Sequence, residues 1–308
     1  MGKYMAIAAS ALVAAGCGSG TETPAARARA SCLAAGTDAR EALPGGRFRM
    51  GSEDFYAEEG PVRDAEVGPF SIDAHEVTNR QFKAFVDATG YITVAERNPD
   101  PALHPDIPAS QLVPGSAVFV LTVADQNGGF WRFEKGATWR APKGPGSAID
   151  ALMNYPVVHV AYEDALAYAR WAGGDLPTEA EWEFAARGGL DGAPYAWGNE
   201  KPDDAPSPRA NTWQGIFPVI NSAADGYAGA APVGCYPPNA YGLYDMSGNV
   251  WEWVKDSAPD RNEGLIKGGS YLCAENYCQR YRPAARQPQE LDFSTNHIGF
   301  RVVYRDAG

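Results

Sequence analysis

The chain has 308 residues, long enough for one large domain or two modest ones, with 45% hydrophobic and 21% charged residues, an ordinary balance for a soluble globular protein. Its 34 glycines, 24 prolines and 8 tryptophans point to many turns and loops pinned by large aromatic side chains rather than to long regular elements. The formal net charge is −12 and no block of Lys or Arg occurs, which argues against nucleic acid as a partner, since counterion release on phosphates needs clustered positive charge.

From the N-terminus, Lys3 followed by the small apolar run Met5 to Ala15 reads as a signal peptide, too short to span a bilayer. Its ending, Ala14 to Cys17, resembles a bacterial lipobox, in which Cys17 would be lipidated after cleavage; Ala14 stands where leucine is more usual. An ordinary cleaved leader, or a start at Met5, reads the same residues without a lipid. The expectation is residues 1–17 as signal peptide with lipobox and 18–41 as a flexible tether rich in small residues. Residues 42–308 then form one domain, exported to the periplasm or cell envelope.

Within the domain, a strand opens in the stretch Leu43 to Gly51. Thr78 with Gln81 forms a capping box ahead of a helix that buries Phe82, Phe85 and Val86 and closes at Gly90. A second helix runs from Tyr162 to Ala172 with Ala165, Tyr168 and Ala169 on one face. A third starts from the Thr178 and Glu181 capping box, turns Trp182 and Ala185 inward and ends at Gly188. Short strands are expected at Val157 to Val160 and at Gly299 to Tyr304. The fold class is α+β with a large irregular share.

Five cysteines occur: Cys17, Cys32, Cys235, Cys273 and Cys278. In an exported chain, the spacing of Cys273 and Cys278 suits a disulfide. A Cu(I) pair is the other option, because that soft ion is content with few sulfur ligands; zinc would want four ligands, and no partner pair lies at suitable spacing. Spacing leaves Cys32 and Cys235 open, paired or free. His75, His104 and His159 show no metal spacing.

Beyond these local readings, the stretches Gly268 to Cys273, Tyr277 to Arg282, Ala284 to Arg286 and Ile298 to Arg301 resemble the C-terminal signature of formylglycine-generating enzymes, or sulfatase-modifying factors. Leu176 to Glu183 and Gly248 to Trp253 mark the wider superfamily, whereas the two cysteines in place are specific to the enzymes. The resemblance covers almost the whole domain. It implies the family's α+β fold, a variant of the C-type lectin arrangement.

The implied activity is a copper-dependent, O2-using oxidation of the cysteine in a sulfatase Cys-x-Pro-x-Arg segment to Cα-formylglycine. By the resemblance, Cys273 and Cys278 hold Cu(I), Ser270 lies near the oxygen pocket, and Trp251 and His297 lie near the substrate. Two structural Ca²⁺ sites also carry over: Asn211, Thr212, Asp225 and Tyr227 in one, and Asp245, Gly248, Val250 and Glu252 in the other. Such oxygen donors are what a hard cation takes.

Departures from the pattern fall at Ala274 and Glu275, at His297 where many members carry Asn, and at two absent disulfide pairs, Ala169 with Val302 and Ala186 with Pro283. The partners implied are a sulfatase polypeptide and O2, with the membrane reached only through the lipid anchor and a monomer as the default state. A non-catalytic lipid-anchored binding module is the alternative. An iron-using sulfoxide synthase ranks third, since such enzymes resemble fusions with a histidine-bearing helical domain that this chain lacks.

Overall fold

Three helices form where their ends are encoded. Helix α1 (Asn79–Thr89) starts from Thr78, whose side chain accepts from Gln81 N while the Gln81 side chain accepts from Thr78 N, and it stops at Gly90 with φ of 69°. Helix α2 (Tyr162–Trp171) lacks a hydroxyl cap; instead the Asp164 carboxylate accepts from Ala161 N at 2.9 Å and from Val94 N at 3.0 Å. Helix α3 (Glu179–Arg187) repeats the reciprocal box with Thr178 and Glu181. The structure, a computed structural model, describes residues 32–33, 38–120, 130–202, 205 and 207–305. The expected signal peptide, Cys17 and most of the expected tether lie outside them.

Eleven short strands complete the described architecture. β1 (Arg40–Leu43), β4 (Phe70–Asp73) and β11 (Val303–Tyr304) form one sheet, and β2 (Gly46–Met50) pairs with β3 (Arg63–Val67). β5 (Gly115–Phe119) pairs with β6 (Trp131–Lys135). The sheet that positions the site has the order β10 (Ile298–Gly299), β7 (Trp251–Ala258), β8 (Glu263–Lys267), β9 (Arg286–Glu290). β10 runs parallel to β7, with Ile298 opposite Trp251; β8 runs antiparallel to both of its neighbours, β7 and β9, with Glu252 opposite Lys267 and Lys267 opposite Arg286. These directions bring the start of β7, the end of β8, the start of β9 and the start of β10 to one end of the sheet.

Alternation along β7 sends Trp251 and Trp253 into a core cluster with Phe82, Phe85 and Tyr168 of α1 and α2. Val254 enters a second cluster with Trp182 and Phe184 of α3. Trp139, Trp182, Trp253 and Phe82 are fully buried, so truncating any of them to alanine should cost about 3–5 kcal/mol. Ion pairs thread the same interior: Arg301 to Glu252, Arg282 to Glu59, and Lys267 to Glu183 at 3.1 Å. Removing one partner of such a pair leaves a buried charge uncompensated.

Three sequence expectations are corrected. Val157 to Val160 is not a strand, because His159 adopts φ of 60°, which breaks an extended run; the segment instead meets the stretch leading into α1 through Val157 N to Val77 O at 2.8 Å. Gly299 to Tyr304 is split, since β10 belongs with β7 and β11 with β4 while the chain crosses between the sheets at Phe300 to Val302. The domain also begins before residue 42: β1 starts at Arg40, Asp38 accepts from Gln81 Nε2 at 2.8 Å, and Cys32 is disulfide-bonded to Cys235 across 203 residues.

Candidate active site

The loop leaving β8 is folded back by glycine. Gly269 has φ of 71°, and a Cβ there would lie 2.8 Å from the Tyr281 amide nitrogen and 3.0 Å from the Arg280 carbonyl carbon. This close approach lays the segment Ser270 to Cys273 against the segment that follows Cys278. Cys273 N donates to Ser270 O and Trp213 N donates to Cys273 O, both at 2.9 Å, which fixes Cys273 from two sides.

Cys273 and Cys278 are both free thiols, the first buried and the second half-buried. They are hydrogen-bonded to each other. Burial first, then that bond, pushes Cys273 well above the usual thiol range. The bond from Cys273 brings Cys278 down to about 7 against the effect of burial, helped by the Arg280 backbone and guanidinium. Of the two thiols, Cys278 is therefore the easier to ionise and Cys273 the firmer holder of its proton. Both sulfurs line a cavity of about 220 Å³ together with Ser270, Trp251, Arg280 and His297. Ser270 is fully buried and its Oγ accepts from Leu272 N at 3.3 Å; Trp251 N donates to His297 O at 2.9 Å.

His297 sits with its ring 4.7 Å from that of Trp131. Burial drives its pKa down to about 3, so the imidazole is neutral. Its backbone N–H donates to Thr295 Oγ1 at 3.1 Å, and the same hydroxyl bonds Nδ1. Thr295 Oγ1 thus anchors both the backbone and the ring of His297.

The structure also answers two points about the remaining side chains. Among the described residues, the remaining cysteines, Cys32 and Cys235, form the disulfide, while the active pair does not. His75 is buried with Nδ1 2.7 Å from Glu76 O, His104 pairs with Asp292 at 3.0 Å, and buried His159 joins Ser116 Oγ to Pro142 O.

The two expected calcium sets lie in consecutive loops near the disulfide and differ in fit. In the first, Thr212 N donates to Asp225 Oδ2 at 3.1 Å, Tyr227 N donates to Asp225 Oδ1 at 3.0 Å, and Asn211 Oδ1 is buried with no hydrogen-bond partner. A buried oxygen left without a donor suits a hard cation.

In the second, Asp245 adopts φ of 55°, and the backbones of Gly248 and Val250 belong to the turn into β7. Both oxygens of Glu252, however, are engaged at 2.7–2.8 Å by Arg301 and Trp182 Nε1. The uncompensated charge there falls on Asp245 and on Glu76. Burial holds both above the usual carboxylate range, and at Glu76 the neighbouring Asp245 charge adds to it; Glu76 Oε2 has no hydrogen-bond partner. Sequence reasoning missed Glu76. It also missed Asn249, fully buried, which takes Asn211 Nδ2 and Ala231 N on Oδ1 and donates to Glu76 Oε1 at 2.9 Å, so that it ties both sets together. The local signal was Asn249 at positive φ inside the turn before β7.

A second depression, about 550 Å³, runs between Gly215–Ile216 and Glu275–Gln279. It lies beside the cavity: Tyr277 and Phe217, whose rings stack at 4.1 Å, line the cavity, while their neighbours Asn276 and Ile216 line the depression.

Comparison with known proteins places this arrangement among relatives. Residues 33–306 match the model of the sulfatase-modifying factor enzyme 1-like domain. A formylglycine-generating enzyme of Mycobacterium tuberculosis is 50% identical over 289 residues, covering 85% of this chain and 96% of the relative. An inactive Cα-formylglycine-generating enzyme 2 of Bos taurus is 42% identical over 268 residues, covering 85% and 86%. Among solved structures, PvdO from Pseudomonas aeruginosa superposes with a TM-score of 0.59 at 26% identity, covering 86% of this chain and 93% of that one.

Proposed function

The chain belongs to the sulfatase-modifying factor family, and from that premise we propose that it oxidises the cysteine of a sulfatase Cys-x-Pro-x-Arg segment to Cα-formylglycine, using O2 and Cu(I). The observation that carries this reading is a pair of reduced, mutually hydrogen-bonded cysteines at the wall of a cavity, in a chain whose remaining described cysteines are joined in a disulfide.

Two free cysteine sulfurs at one cavity wall suit Cu(I), a soft ion content with few sulfur ligands. Cys273 and Cys278 would hold the ion, which supplies one-electron chemistry with O2 when bound. Cys278, already poised to lose its proton, and Cys273, which must give one up, make ion uptake proton-releasing. Trp251, the Trp131–His297 pair and Ser270 line the cavity beside the two cysteines. The neutral imidazole of His297 adds an uncharged polar group to the cavity wall.

Electron counting adds a requirement. Converting the cysteine methylene thiol and water into an aldehyde and hydrogen sulfide removes two electrons, whereas reducing O2 to water takes four. A thiol reductant must supply the other two and leave as its disulfide.

The Asn211 and Asp225 set, and the Asp245 set with Glu76, are proposed to hold structural Ca²⁺. The leader and Cys17 are proposed to export and anchor the chain as a monomer, placing its substrate in the cell envelope. A non-catalytic binding role is the second reading, because the bovine relative carries the fold under an inactive name. The free cysteine pair favours oxidation.

The test is conversion of a Cys-x-Pro-x-Arg peptide by copper-loaded protein under air with a thiol reductant, read by mass spectrometry, alongside Cu(I) stoichiometry. Conversion lost together with Cu(I) binding in Cys273→Ser and Cys278→Ser supports the reading. Conversion that survives either substitution sinks the copper pair. A reduced, copper-loaded wild type that converts nothing transfers the assignment to the binding module.

A further inference from the structure

Next to the cavity, the turn at 216–220 presents three aliphatic side chains to solvent: Ile216 is 58% exposed, Val219 71% and Ile220 54%. These are not the ends of a loose loop. Val219 N and Ile220 N both donate to Ile216 O, at 2.7 and 2.8 Å, and Trp213 Nε1 donates to Ile220 O at 2.8 Å. A Cβ on Gly215 would fall 2.5 Å from Ile220 O, so the base of the turn is closed tightly. The aliphatic groups are thus held outward in a pre-ordered array, which lowers the entropy cost of binding against them.

The array is mounted on the catalytic loop itself. Phe217, between the exposed residues, turns inward to the cavity wall and stacks on Tyr277. The Asn276 side chain brackets Phe217, accepting from its N–H at 3.2 Å and donating to its carbonyl at 3.4 Å. Asn276 and Tyr277 lie between the two cysteines in the chain. Whatever docks on the aliphatic array is therefore held in fixed register with the thiol pair.

We propose that Ile216, Val219 and Ile220 form a docking surface for the substrate polypeptide outside the segment held at the cysteines. This surface selects apolar side chains flanking the reactive cysteine in an extended, not yet folded chain. The inference rests on the substrate reading above. It is a polypeptide surface because it continues into the 550 Å³ depression, where Glu275, Asn276 and Gln279 offer the polar groups an extended backbone or a basic side chain would use. A net charge of −12 opposes both adsorption on anionic lipid and pairing with a second copy.

The experiment uses three peptides sharing one Cys-x-Pro-x-Arg segment: a short one, a long one with apolar flanks, and a long one with Ser and Gly flanks. Each is also made with Ser replacing the reactive Cys, for binding to reduced, copper-free protein by fluorescence anisotropy. Val219→Asp and Ile220→Asp, with the milder Val219→Ser, should raise KM and the inert-peptide Kd for the apolar-flanked peptide about tenfold, about 1.4 kcal/mol. The expected kcat is unchanged, as are the constants for the other two peptides.

Equal losses on all three peptides, or no loss on any, overturn the proposal. So does binding to phosphatidylglycerol–phosphatidylethanolamine vesicles, or a dimer in sedimentation, that disappears in the aspartate variants. If wild type converts none of the peptides, the oxidase reading fails, and the inert-peptide binding still decides the docking surface separately.

Discussion

Replacing Gly269 by alanine tests whether close backbone approach holds the two thiols together. Two costs arise there, and a second glycine separates them. Gly90, the stop of α1, has φ of 69° with nothing within 4 Å of a built Cβ, whereas Gly269 has φ of 71° with the Tyr281 nitrogen at 2.8 Å and its Cα at 2.9 Å. Both variants place alanine in left-handed geometry, a penalty of about 1 kcal/mol. Only Gly269→Ala must also displace neighbouring backbone by roughly half an ångström, adding about 1–3 kcal/mol as overpacked sites do. Urea unfolding should therefore show about 1 kcal/mol lost for Gly90→Ala and about 3 kcal/mol for Gly269→Ala, with equal m-values. Because the displaced backbone, Arg280 and Tyr281, follows closely on Cys278, Cu(I) affinity against a chromogenic chelator should fall in Gly269→Ala and hold in Gly90→Ala. Equal unfolding costs, or unchanged copper affinity in both, would refute the argument that this contact sets the pair.

Three further outcomes follow from the same structure. Cys32→Ser releases a cross-link spanning 203 residues, for which chain entropy sets a ceiling of about 5 kcal/mol; calorimetry should show a lowered Tm, and wild type with a strong reductant should move to match it. His159 is neutral in both states above its ordinary pKa of 6.5, but below it only the unfolded chain takes up the proton until about pH 4. It therefore removes up to about 3 kcal/mol as pH falls through that window. Asp164, raised to about 7 by burial, acts oppositely over the same range, so the measurement is the pH slope of unfolding free energy in His159→Asn relative to wild type. The variant should lose stability less steeply, and identical slopes would show that His159 is not the group responsible. Finally, Ca²⁺ added to chelator-treated protein should raise Tm, and Asn211→Ala should shrink that rise; a Tm indifferent to Ca²⁺ would remove the calcium proposal.

The large buried acid cluster explains why a cation is an attractive solution in this fold. Glu76, Asp245 and Glu252 share one guanidinium, that of Arg301, and the repulsion of the Glu76 carboxylate by that of Asp245 acts where both are buried. Protonation or a cation can relieve it. The Ca²⁺ titration distinguishes them: relief by a proton alone predicts a Tm that rises on mild acidification and ignores calcium.

Local signals were legible without coordinates. Both capping boxes lie within four residues of chain, so Thr78 with Gln81 and Thr178 with Glu181 could be read directly, and each begins a helix where expected. The glycine stops and the residue types of the cysteine loop are equally local, and so the helices, the α+β class and the candidate thiols were within reach of sequence. Strands fared worse: the valine-rich run Val157 to Val160 looked extended, yet the positive φ of His159 answers to Ser116 and Pro142, which no window around residue 159 contains.

What tertiary structure alone decided are the choices made between distant parts of the chain. Spacing left Cys273 and Cys278 open to a disulfide or a free pair and Cys32 and Cys235 open to either state; packing decided both by joining the distant pair and leaving the near one as free thiols. The sequence by itself determined the short-range code, because caps, turns and residue chemistry are satisfied by neighbours in the chain. The meeting of Gly269 with Tyr281, of Asn276 with Phe217 and of Glu76 with Asn249 depends on backbone closures across tens to hundreds of residues. Their energies exist only once the sheet has brought those segments to one end.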